Sequence, residues 1–512
     1  MPGAGKKGRM LRPVVFARAW CLFLLCAISL VATGSADTSD WPIIRRRGDT
    51  LVEGDKPFRF FGLAAPNLQA HEAQLLPDFS NHFPDEFETR DALETFRRLG
   101  ARATRTFSLS IAAPADGKLP AYISARRTYN EEAFRCLDRV LALCHEYDVR
   151  LIIPVVASQS FNGIRGVDEF AALSGRTAPG AFWVDADVKA DFRHLLAFLA
   201  SRRNTVNGRL YRDEPAILAW QFGNEFGSYA PDRKLSAAEW TPRITAWALE
   251  MAAYLKEIDP QHLVMDAGGA DRAALLASPH VDVISTHLYE YWNRLSGGST
   301  DLAALARADW TECRGKKPLI VDEFGLGTVP NLRVLMRTIR EEGIVGGLLW
   351  SLRVHRRDGG FYYHNEGGTP INSFHFPGFG AGHDYQETQL LDLVRAEAFA
   401  IRGLTPPPLT PPTPAPILFR SRGGFTWRGS TGASHYAMER ATSAAGPWTV
   451  VADALPDSVI SNVKDFEASG DSQPVPLWFD EFLLVGQTYF YRVRGFNAAG
   501  ATDYSPVLRV GP

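Results

Sequence analysis

The chain has 512 residues, of which 46% are hydrophobic and 22% are charged, and its formal net charge is −2. This is the composition of a globular protein long enough for two or three domains. The small net charge gives no reason to expect nucleic acid as a partner.

The first 36 residues predict an export signal. Five basic residues and no acid accompany the apolar run at 21–32, and the small residues Gly34 and Ala36 follow it. This is the order of a secretory signal peptide, and the run is too short for a comfortable membrane span. We expect cleavage after Ala36 and a secreted protein, extracellular or periplasmic, without membrane contact. An uncleaved anchor is the alternative.

The cysteines predict neither a disulfide framework nor a metal site. Cys136, Cys144 and Cys313 remain after the signal, and an odd number favours free thiols. Cys136 and Cys144 are about 12 Å apart along one predicted helix, too far to bridge. The sequence contains no CxxC or HExxH pattern. We therefore expect buried packing thiols, no metal and no cofactor.

A hairpin at 42–57 precedes a regular alternation of strands and helices. Apolar runs predict eight strands, at 59–64, 103–107, 150–156, 217–222, 262–268, 281–289, 318–324 and 345–352. Helical periodicity predicts helices at 91–100, 131–147, 187–204, 244–259, 334–343 and 390–403. Eight such units favour a (β/α)₈ barrel. A doubly wound sheet would need a glycine-rich phosphate turn, which GLAAPN after the first strand is not.

The amino-acid composition of the chain changes after the eighth predicted strand. An insertion at 355–386 is rich in aromatic residues, histidine and glycine, and a proline-rich linker follows the last barrel helix. Short alternating strands after it predict a small all-β sandwich. The predicted division is a signal peptide at 1–36, a barrel domain at 37–403, a linker at 404–416 and the sandwich at 417–512.

Polar and aromatic side chains lie at the carboxyl ends of the predicted barrel strands, where barrel enzymes place their active sites. These residues are Asn67, Arg105, Asn224, Glu225, His287, Tyr289, Glu323 and Trp350. Glu225 and Glu323 each end a buried apolar run, where a carboxylate is costly unless it has polar partners or a function. The sequence shows no cofactor cradle or P-loop beside them. Two glutamates in these surroundings suit glycoside hydrolysis.

Residues 42–403 resemble glycoside hydrolase family 5, and its endo-β-1,4-mannanase branch in particular. The resemblance is carried by ILAWQFGNE and PLIVDEFG around the two glutamates, by RTF on the second strand, by His287-x-Tyr289 and by Trp350. It implies a retaining hydrolase in which Glu225 is the general acid and base and Glu323 is the nucleophile. Their carboxyl groups should then be about 5–5.5 Å apart, and their pKa values should differ.

The same resemblance implies roles for the surrounding residues. We expect Arg105 and Tyr289 to keep Glu323 charged and oriented, Asn224 to bond the sugar 2-OH, and His287 to hydrogen-bond Glu225. Trp350 should form the apolar floor under the sugar. The less specific expectations are that Trp292 and the aromatics of 361–376 stack on flanking sugars, that Asn67 binds substrate or shapes a turn, and that Asp266, Asp322 and Glu290 are structural.

The substrate is less well defined than the chemistry. Mannanases of the family often have proline after the acid and tryptophan after the second-strand arginine, where this chain has Phe226 and Phe107. The same chemistry on another substrate, as a β-glucanase or an exo-β-mannosidase, is the alternative, and the 355–386 insertion could close one end of the cleft. A catalytically inactive carbohydrate-binding protein is a second alternative, although both glutamates are present.

YFYRVRGFNAAGATDYS near the C-terminus resembles the last two strands of a fibronectin type III module, which has an immunoglobulin-like fold. It shows no row of exposed tryptophans, so we interpret it as a spacer or stabilising appendage. The expected partner is a polysaccharide or oligosaccharide, and we expect a monomer.

Overall fold

The computed structural model describes residues 41–69, 83–113, 121–160, 165–229, 237–362, 374–378, 386–457, 476–484 and 486–511. The predicted signal peptide and much of the 355–386 insertion lie outside these residues. Among the described residues, no helix combines the length and the hydropathy that crossing a bilayer needs. Cys136, Cys144 and Cys313 are free, and the last two are buried.

The first part of the chain is built of short strands. In chain order they are β1 (Arg45–Arg47), β2 (Thr50–Glu53), β3 (Lys56–Pro57), β4 (Phe60–Leu63), β5 (Ala103–Arg105), β6 (Ile123–Ala125), β7 (Thr128–Tyr129), β8 (Arg150–Ala157), β9 (Ile217–Asn224), β10 (Leu263–Met265), β11 (Ile284–Tyr289), β12 (Leu319–Gly325) and β13 (Gly346–Leu349). β1 to β3 form an antiparallel sheet, one strand more than the predicted hairpin. The hairpin β6–β7 follows β5.

The eight remaining strands close into a parallel barrel. They pair in the orders β10-β9-β8-β5 and β11-β12-β13-β4. A bridge between Met265 and Val283 joins β10 to the approach of β11. Ala65 N–H donates to the Arg105 carbonyl at 2.8 Å and joins β4 to β5. The predicted (β/α)₈ barrel is therefore confirmed, and each predicted strand is present.

Helices surround the barrel. They are α1 (Glu86–Leu99), α2 (Glu131–Tyr147), α3 (Val167–Ala172), α4 (Ala181–Val184), α5 (Ala186–Ser201), α6 (Ala237–Ile258), α7 (Arg272–Ala277), α8 (Glu290–Leu295), α9 (Leu302–Cys313), α10 (Val329–Glu342) and α11 (Glu387–Ala400). Asp85 and Glu88 form a capping box at the start of α1. Gly100 and Gly343 end α1 and α10 at φ of 77° and 89°, a backbone conformation that glycine adopts without strain.

The barrel has two hydrophobic layers. The larger one lies between the strands and the helices. The smaller one fills the barrel interior and includes Leu51 of the small sheet and the flanking residues Ile44 and Phe58, together with Phe60 and Ile320 from barrel strands. The sheet of β1 to β3 thus closes the end of the barrel at which the strands begin. The opposite end, where the strands finish, carries the polar residues discussed below.

The C-terminal part of the chain is all β. Its strands are β14 (Ile417–Ser421), β15 (Gly424–Arg428), β16 (His435–Ala441), β17 (Thr449–Leu455), β18 (Tyr489–Asn497), β19 (Gly500–Ala501) and β20 (Leu508–Val510). β14 and β15 form one sheet and the others form a second. Phe425 and Trp427 of the first sheet share a core with Tyr436, Tyr491 and Val493 of the second. The membership of the fibronectin type III family stays a prediction.

This β domain packs directly against the barrel. Arg98 of α1 donates to the carbonyls of Thr410 and Pro411 at 3.1 and 2.9 Å, which holds the proline-rich segment along the barrel. Gly360 N–H donates to the Trp427 carbonyl of β15 at 3.2 Å. Of the two predicted roles, a spacer or a stabilising appendage, these contacts favour the stabilising appendage, because the described segment between the domains is attached to the barrel.

Candidate active site

Glu225 and Glu323 meet at the carboxyl ends of their strands. Glu225 follows β9 directly and has a backbone φ of 53°, in the left-handed region that a non-glycine residue adopts only when its surroundings hold it there. Phe226 N–H donates to the Ala267 carbonyl at 2.9 Å and fixes the turn after it. Glu323 is part of β12 and is 3% exposed. Oxygens of both carboxylates and a ring nitrogen of His287 all lie within 4.8 Å of one another.

Glu323 is held from two sides. Arg105 of β5 donates Nη1–H to its Oε1 at 2.5 Å, and the Tyr289 hydroxyl of β11 donates to its Oε2. Arg105 is fully buried and also donates to Oδ1 of Asn224 at 2.9 Å. A buried guanidinium is tolerated only where such partners compensate its lost hydration. The predicted neighbours Arg105, Tyr289 and Asn224 are thus brought together around Glu323.

His287 lies between the two glutamates. Its Nδ1 is 2.9 Å from Oε1 of Glu225 and 3.3 Å from Oε2 of Glu323, and its Nε2 is 3.4 Å from Oδ2 of Asp322. Burial alone would lower the pKa of His287, but the charges of Glu323 and Asp322 raise this pKa well above its usual value. The ring is therefore a cation that donates on both sides. By residue type this group could hold a metal ion.

The two glutamates have different pKa values. Complete burial raises the pKa of Glu323 to about 7, although His287 and Arg105 oppose this. Burial also acts to raise the pKa of Glu225, but the hydrogen bond and charge of His287 outweigh it and lower that pKa below 4.5. The predicted roles require the opposite order, with the proton on Glu225. The difference arises because the His287 cation donates its shorter hydrogen bond to Glu225, while Glu323 is the more deeply buried of the two.

The remaining predicted residues, Trp350, Asn67 and Trp292, differ in how deeply they are buried. Trp350 is 4% exposed and packs with Phe107, at 5.6 Å between ring centroids, and with Tyr289 beside Glu323. Asn67 is buried in a short 3₁₀ turn after β4. Trp292, in contrast, is 40% exposed on α8, with Tyr291 edge-on to it at 4.9 Å. The helix that carries it begins directly after β11, at the end of the barrel where Glu225 and Glu323 lie.

The expectation for the aromatics of 361–376 is wrong for those that the structure describes. Phe361 stacks on His355 at 3.8 Å between ring centroids, and Tyr362 donates its hydroxyl to Glu88 of α1 at 2.8 Å. Phe374 and Phe376 are buried as well. These rings pack against the barrel and the β domain because this segment lies between the two. Residues 363–373 lie outside the described residues.

Two further residues, Gln221 and Asp322, belong to the site although their sequence positions did not predict it. Gln221 of β9 accepts from Arg105 Nε–H at 2.7 Å and donates Nε2–H to Oδ2 of Asp322 at 2.8 Å. Asp322, interpreted as structural, also contacts His287. Asp266, by contrast, accepts from backbone N–H groups, and Glu290 accepts from the Thr328 N–H and from the side chains of Asn331 and Arg294. A polar residue in the middle of a buried apolar strand is the signal that marks both Gln221 and Asp322.

Comparison with known proteins gives one matching family model and several similar sequences. Residues 85–331 match the family model described as glycoside hydrolase family 5 beta-mannosidase-like. Mannan endo-1,4-beta-mannosidase 1 of Arabidopsis thaliana is 27% identical over 228 residues, covering 39% of this chain and 53% of the relative. Mannan endo-1,4-beta-mannosidase 7 of Oryza sativa subsp. japonica is 24% identical over 360 residues, covering 61% of this chain and 89% of the relative.

A solved structure shares the fold. The endo-beta-1,4-mannanase from Thermotoga petrophila aligns with a TM-score of 0.55 at 17% identity, covering 90% of this chain and 99% of that one. At this identity the structural similarity is evidence for the fold alone, and the sequence relatives are the evidence for the chemistry. Together they identify the chain as a glycoside hydrolase whose residues 85–331 are similar to the family 5 beta-mannosidase-like model.

Proposed function

We propose that this chain is a retaining hydrolase of β-1,4-linked mannan. The observation that carries the proposal is the approach of Glu225 and Glu323, whose carboxylate oxygens lie within 4.8 Å of each other and of His287. Retaining enzymes keep their two carboxyl groups about 5–5.5 Å apart, whereas inverting enzymes need about 6.5–9.5 Å to admit a water between them. The short separation supports double displacement.

In the first step Glu323 attacks the anomeric carbon while Glu225 gives its proton to the leaving glycosidic oxygen. The C–O bond of the substrate breaks and a glycosyl ester on Glu323 forms. In the second step Glu225 takes a proton from water, the water oxygen attacks the same carbon, and the ester bond breaks. The product keeps the configuration of the substrate because two inversions have occurred.

The neighbouring residues fit these steps. Arg105 and Tyr289 donate to Glu323 and so orient its oxygens for attack. The Asn224 carbonyl oxygen is occupied by Arg105, which leaves the amide N–H groups to donate to the sugar 2-OH. Trp350 supports the ring of the sugar from below. Trp292 is positioned to stack on a sugar further along the cleft.

The names of the sequence relatives support mannan as the substrate. The proposal also includes export by the signal at 1–36, a catalytic domain at 37–403, a linker at 404–416, a fibronectin-like domain at 417–512, and action as a monomer. A β-glucanase and an exo-β-mannosidase use the same chemistry, so the substrate and the product pattern must be measured separately.

The proposal predicts selective release from mannan. The chain without residues 1–36 is assayed for reducing ends on galactomannan, barley β-glucan and carboxymethyl-cellulose, with the Glu323→Ala variant as the blank. We expect release from galactomannan alone, and internal cleavage of mannohexaose to shorter oligosaccharides. Mannose as the sole product would indicate an exo-mannosidase, and release from the glucans would contradict the choice of substrate.

A second prediction concerns pH. The reaction needs one proton on the glutamate pair, and the raised pKa of Glu323, about 7, is the one at which the pair loses it. We expect kcat/KM on mannohexaose to fall as pH rises above about 7. It should fall again at acid pH, when the group with the lowered pKa, Glu225, also takes a proton. A rate constant that stays level up to pH 9 would contradict this assignment.

A further inference from the structure

Asp322 and Glu323 are neighbours in β12, yet both reach the same guanidinium. Arg105 lies 2.5 Å from Oε1 of Glu323 and 3.3 Å from Oδ2 of Asp322. Successive side chains of a regular strand point to opposite faces. The pairing of β12 with β13 shifts register between Val321 and Phe324, which interrupts this alternation. Such irregularities re-aim side chains beside active sites, and this one turns both carboxylates into the barrel.

Asp322 is fully buried and has a complete set of partners. Ser285 Oγ–H donates to its Oδ1 at 2.6 Å, and Gln221 Nε2–H donates to its Oδ2 at 2.8 Å. The His287 ring faces it with Nε2 at 3.4 Å and faces Glu225 with Nδ1 at 2.9 Å. The imidazole therefore connects the carboxylate of Asp322 to that of Glu225. Burial acts to raise the pKa of Asp322, but the charges of His287 and Arg105 and the hydrogen bond from Ser285 lower this pKa to about 2, so Asp322 stays ionised through the working range of the enzyme.

The charges of this cluster do not balance without a proton. Glu225, Glu323 and Asp322 are three carboxylates, while Arg105 and His287 are two cations. A buried cluster with one excess negative charge is costly, and a single proton on either glutamate removes the excess. Among the other groups that face the cluster, Tyr289 is a neutral donor. Asp266 is a further carboxylate, hydrogen-bonded by the backbone N–H groups of Ser285 and Gly268, and burial raises its pKa to about 6.

We propose that Asp322 is a positioning residue of the hydrolytic site, which keeps one proton on the Glu225–Glu323 pair at neutral pH. It does so by opposing a second negative charge on the glutamates, while its contact with Nε2 keeps the His287 ring oriented between them. The proposal rests on the hydrolase function proposed above. Consistent with it, the charge of Asp322 acts to raise the pKa of Glu225.

The test is the pH profile of kcat/KM for Asp322→Asn on mannohexaose. Asparagine keeps the size of the side chain but removes the charge, so the cluster is neutral with both glutamates ionised. We expect the alkaline limb of the profile to move to lower pH by about one unit, the usual effect of one nearby charge. At a pH above the alkaline limbs of both wild type and variant, this shift corresponds to about a tenfold lower kcat/KM for the variant.

Ser285→Ala is the matched control. It removes one hydrogen bond to Asp322 but leaves the carboxylate charged, so the alkaline limb should stay at the wild-type pH. A merely structural role for Asp322 predicts that Asp322→Asn lowers the rate equally at every pH and leaves the limb unmoved. That result would overturn the proposal.

A second measurement does not depend on the variant folding. In the wild-type protein the ¹⁵N shifts of the His287 ring, assigned by comparison with His287→Asn, should report both nitrogens protonated at pH 8. A neutral ring at pH 7 would overturn the proposal. The Glu323→Ala variant distinguishes failure of the hydrolase assignment from failure of the role given to Asp322. If it keeps full activity, the hydrolase assignment fails; if it is inactive and Asp322→Asn keeps the wild-type limb, only the role of Asp322 fails.

Discussion

Replacing Glu323 with alanine is expected to lower kcat on β-1,4-mannan by at least about 10³-fold, because the covalent step loses its nucleophile. The methyl group also leaves the Arg105 guanidinium and the Tyr289 hydroxyl without the carboxylate they now orient. The measurement is the initial rate of reducing-end release from galactomannan, with wild-type and variant protein at equal concentration and pH.

Sodium azide distinguishes the roles of the two glutamates. With Glu323→Ala and an activated aryl β-mannoside, azide should enter from the face that Glu323 occupied and give the α-mannosyl azide. With Glu225→Ala the glycosyl ester should still form, and azide should attack it from the opposite face to give the β-mannosyl azide. If Glu323→Ala gave the β-mannosyl azide and Glu225→Ala the α-mannosyl azide, Glu225 would be the nucleophile and Glu323 the acid and base. This test is needed because Glu323 has the higher pKa.

Glu290→Gln is the matched control for these variants. Glu290 is a buried glutamate at the same end of the barrel, but it bonds to the Thr328 N–H at 2.9 Å and to Asn331 at 2.8 Å rather than to the catalytic pair. We expect its kcat to stay near the wild-type value. A loss for Glu290→Gln as large as for Glu323→Ala would show that the assay reports folding rather than chemistry.

The barrel could be predicted from the sequence because its strands are buried on both faces. Each is a short apolar run, and helical periodicity separates most of the runs. The polar residues at the strand ends were recognisable for the same reason, since Glu225 and Glu323 interrupt an apolar pattern. The helix α9 was missed although Asp301 caps it, because glycine and serine residues before it resemble a long loop.

Asp322 and Gln221 could not be assigned to the site in the same way. A regular strand would direct Asp322 away from Glu323, and only the register shift in β12 brings both to Arg105. Register depends on contacts between strands that are far apart in the chain, and one sequence does not reveal them. The docking of the β domain was not predictable for a related reason, since its contacts join residues far apart in the chain, such as Arg98 and Thr410.

A buried histidine joins the barrel to the β domain. His355 lies with Nδ1 at 2.9 Å from Asp91 of α1 and with Nε2 at 3.0 Å from Asp457, which follows β17. Thr431 donates its hydroxyl to the same Asp91 at 2.5 Å. A Cβ on Gly429 would lie 2.3 Å from the His355 ring, so this position requires glycine for the close approach of the two domains.

His355→Asn is expected to lower the free energy of unfolding of the full chain by about 3–5 kcal/mol, because it leaves two buried carboxylates without their cation. Burial alone would lower the pKa of His355, but Asp91 and Asp457 raise it from 6.5 to about 10. Because the pKa of His355 is higher in the folded state, protonation of His355 stabilises the fold fully below about pH 6.5. This stabilisation is lost as pH rises through about 10. The difference between wild type and variant should therefore be largest near pH 6 and shrink towards pH 10, as measured by denaturant unfolding.

Two variants test whether the effect belongs to this contact between the domains. Adding Asp457→Asn to His355→Asn should cost less than the sum of the single changes, because the second substitution removes a carboxylate that the first left unpaired. Gly429→Ala reaches the same ring from the β domain and should destabilise the chain by overpacking, with the 404–416 segment becoming more accessible to protease. If His355→Asn costs less than about 1 kcal/mol, or equally at pH 6 and pH 10, the charged cluster does not hold the β domain on the barrel.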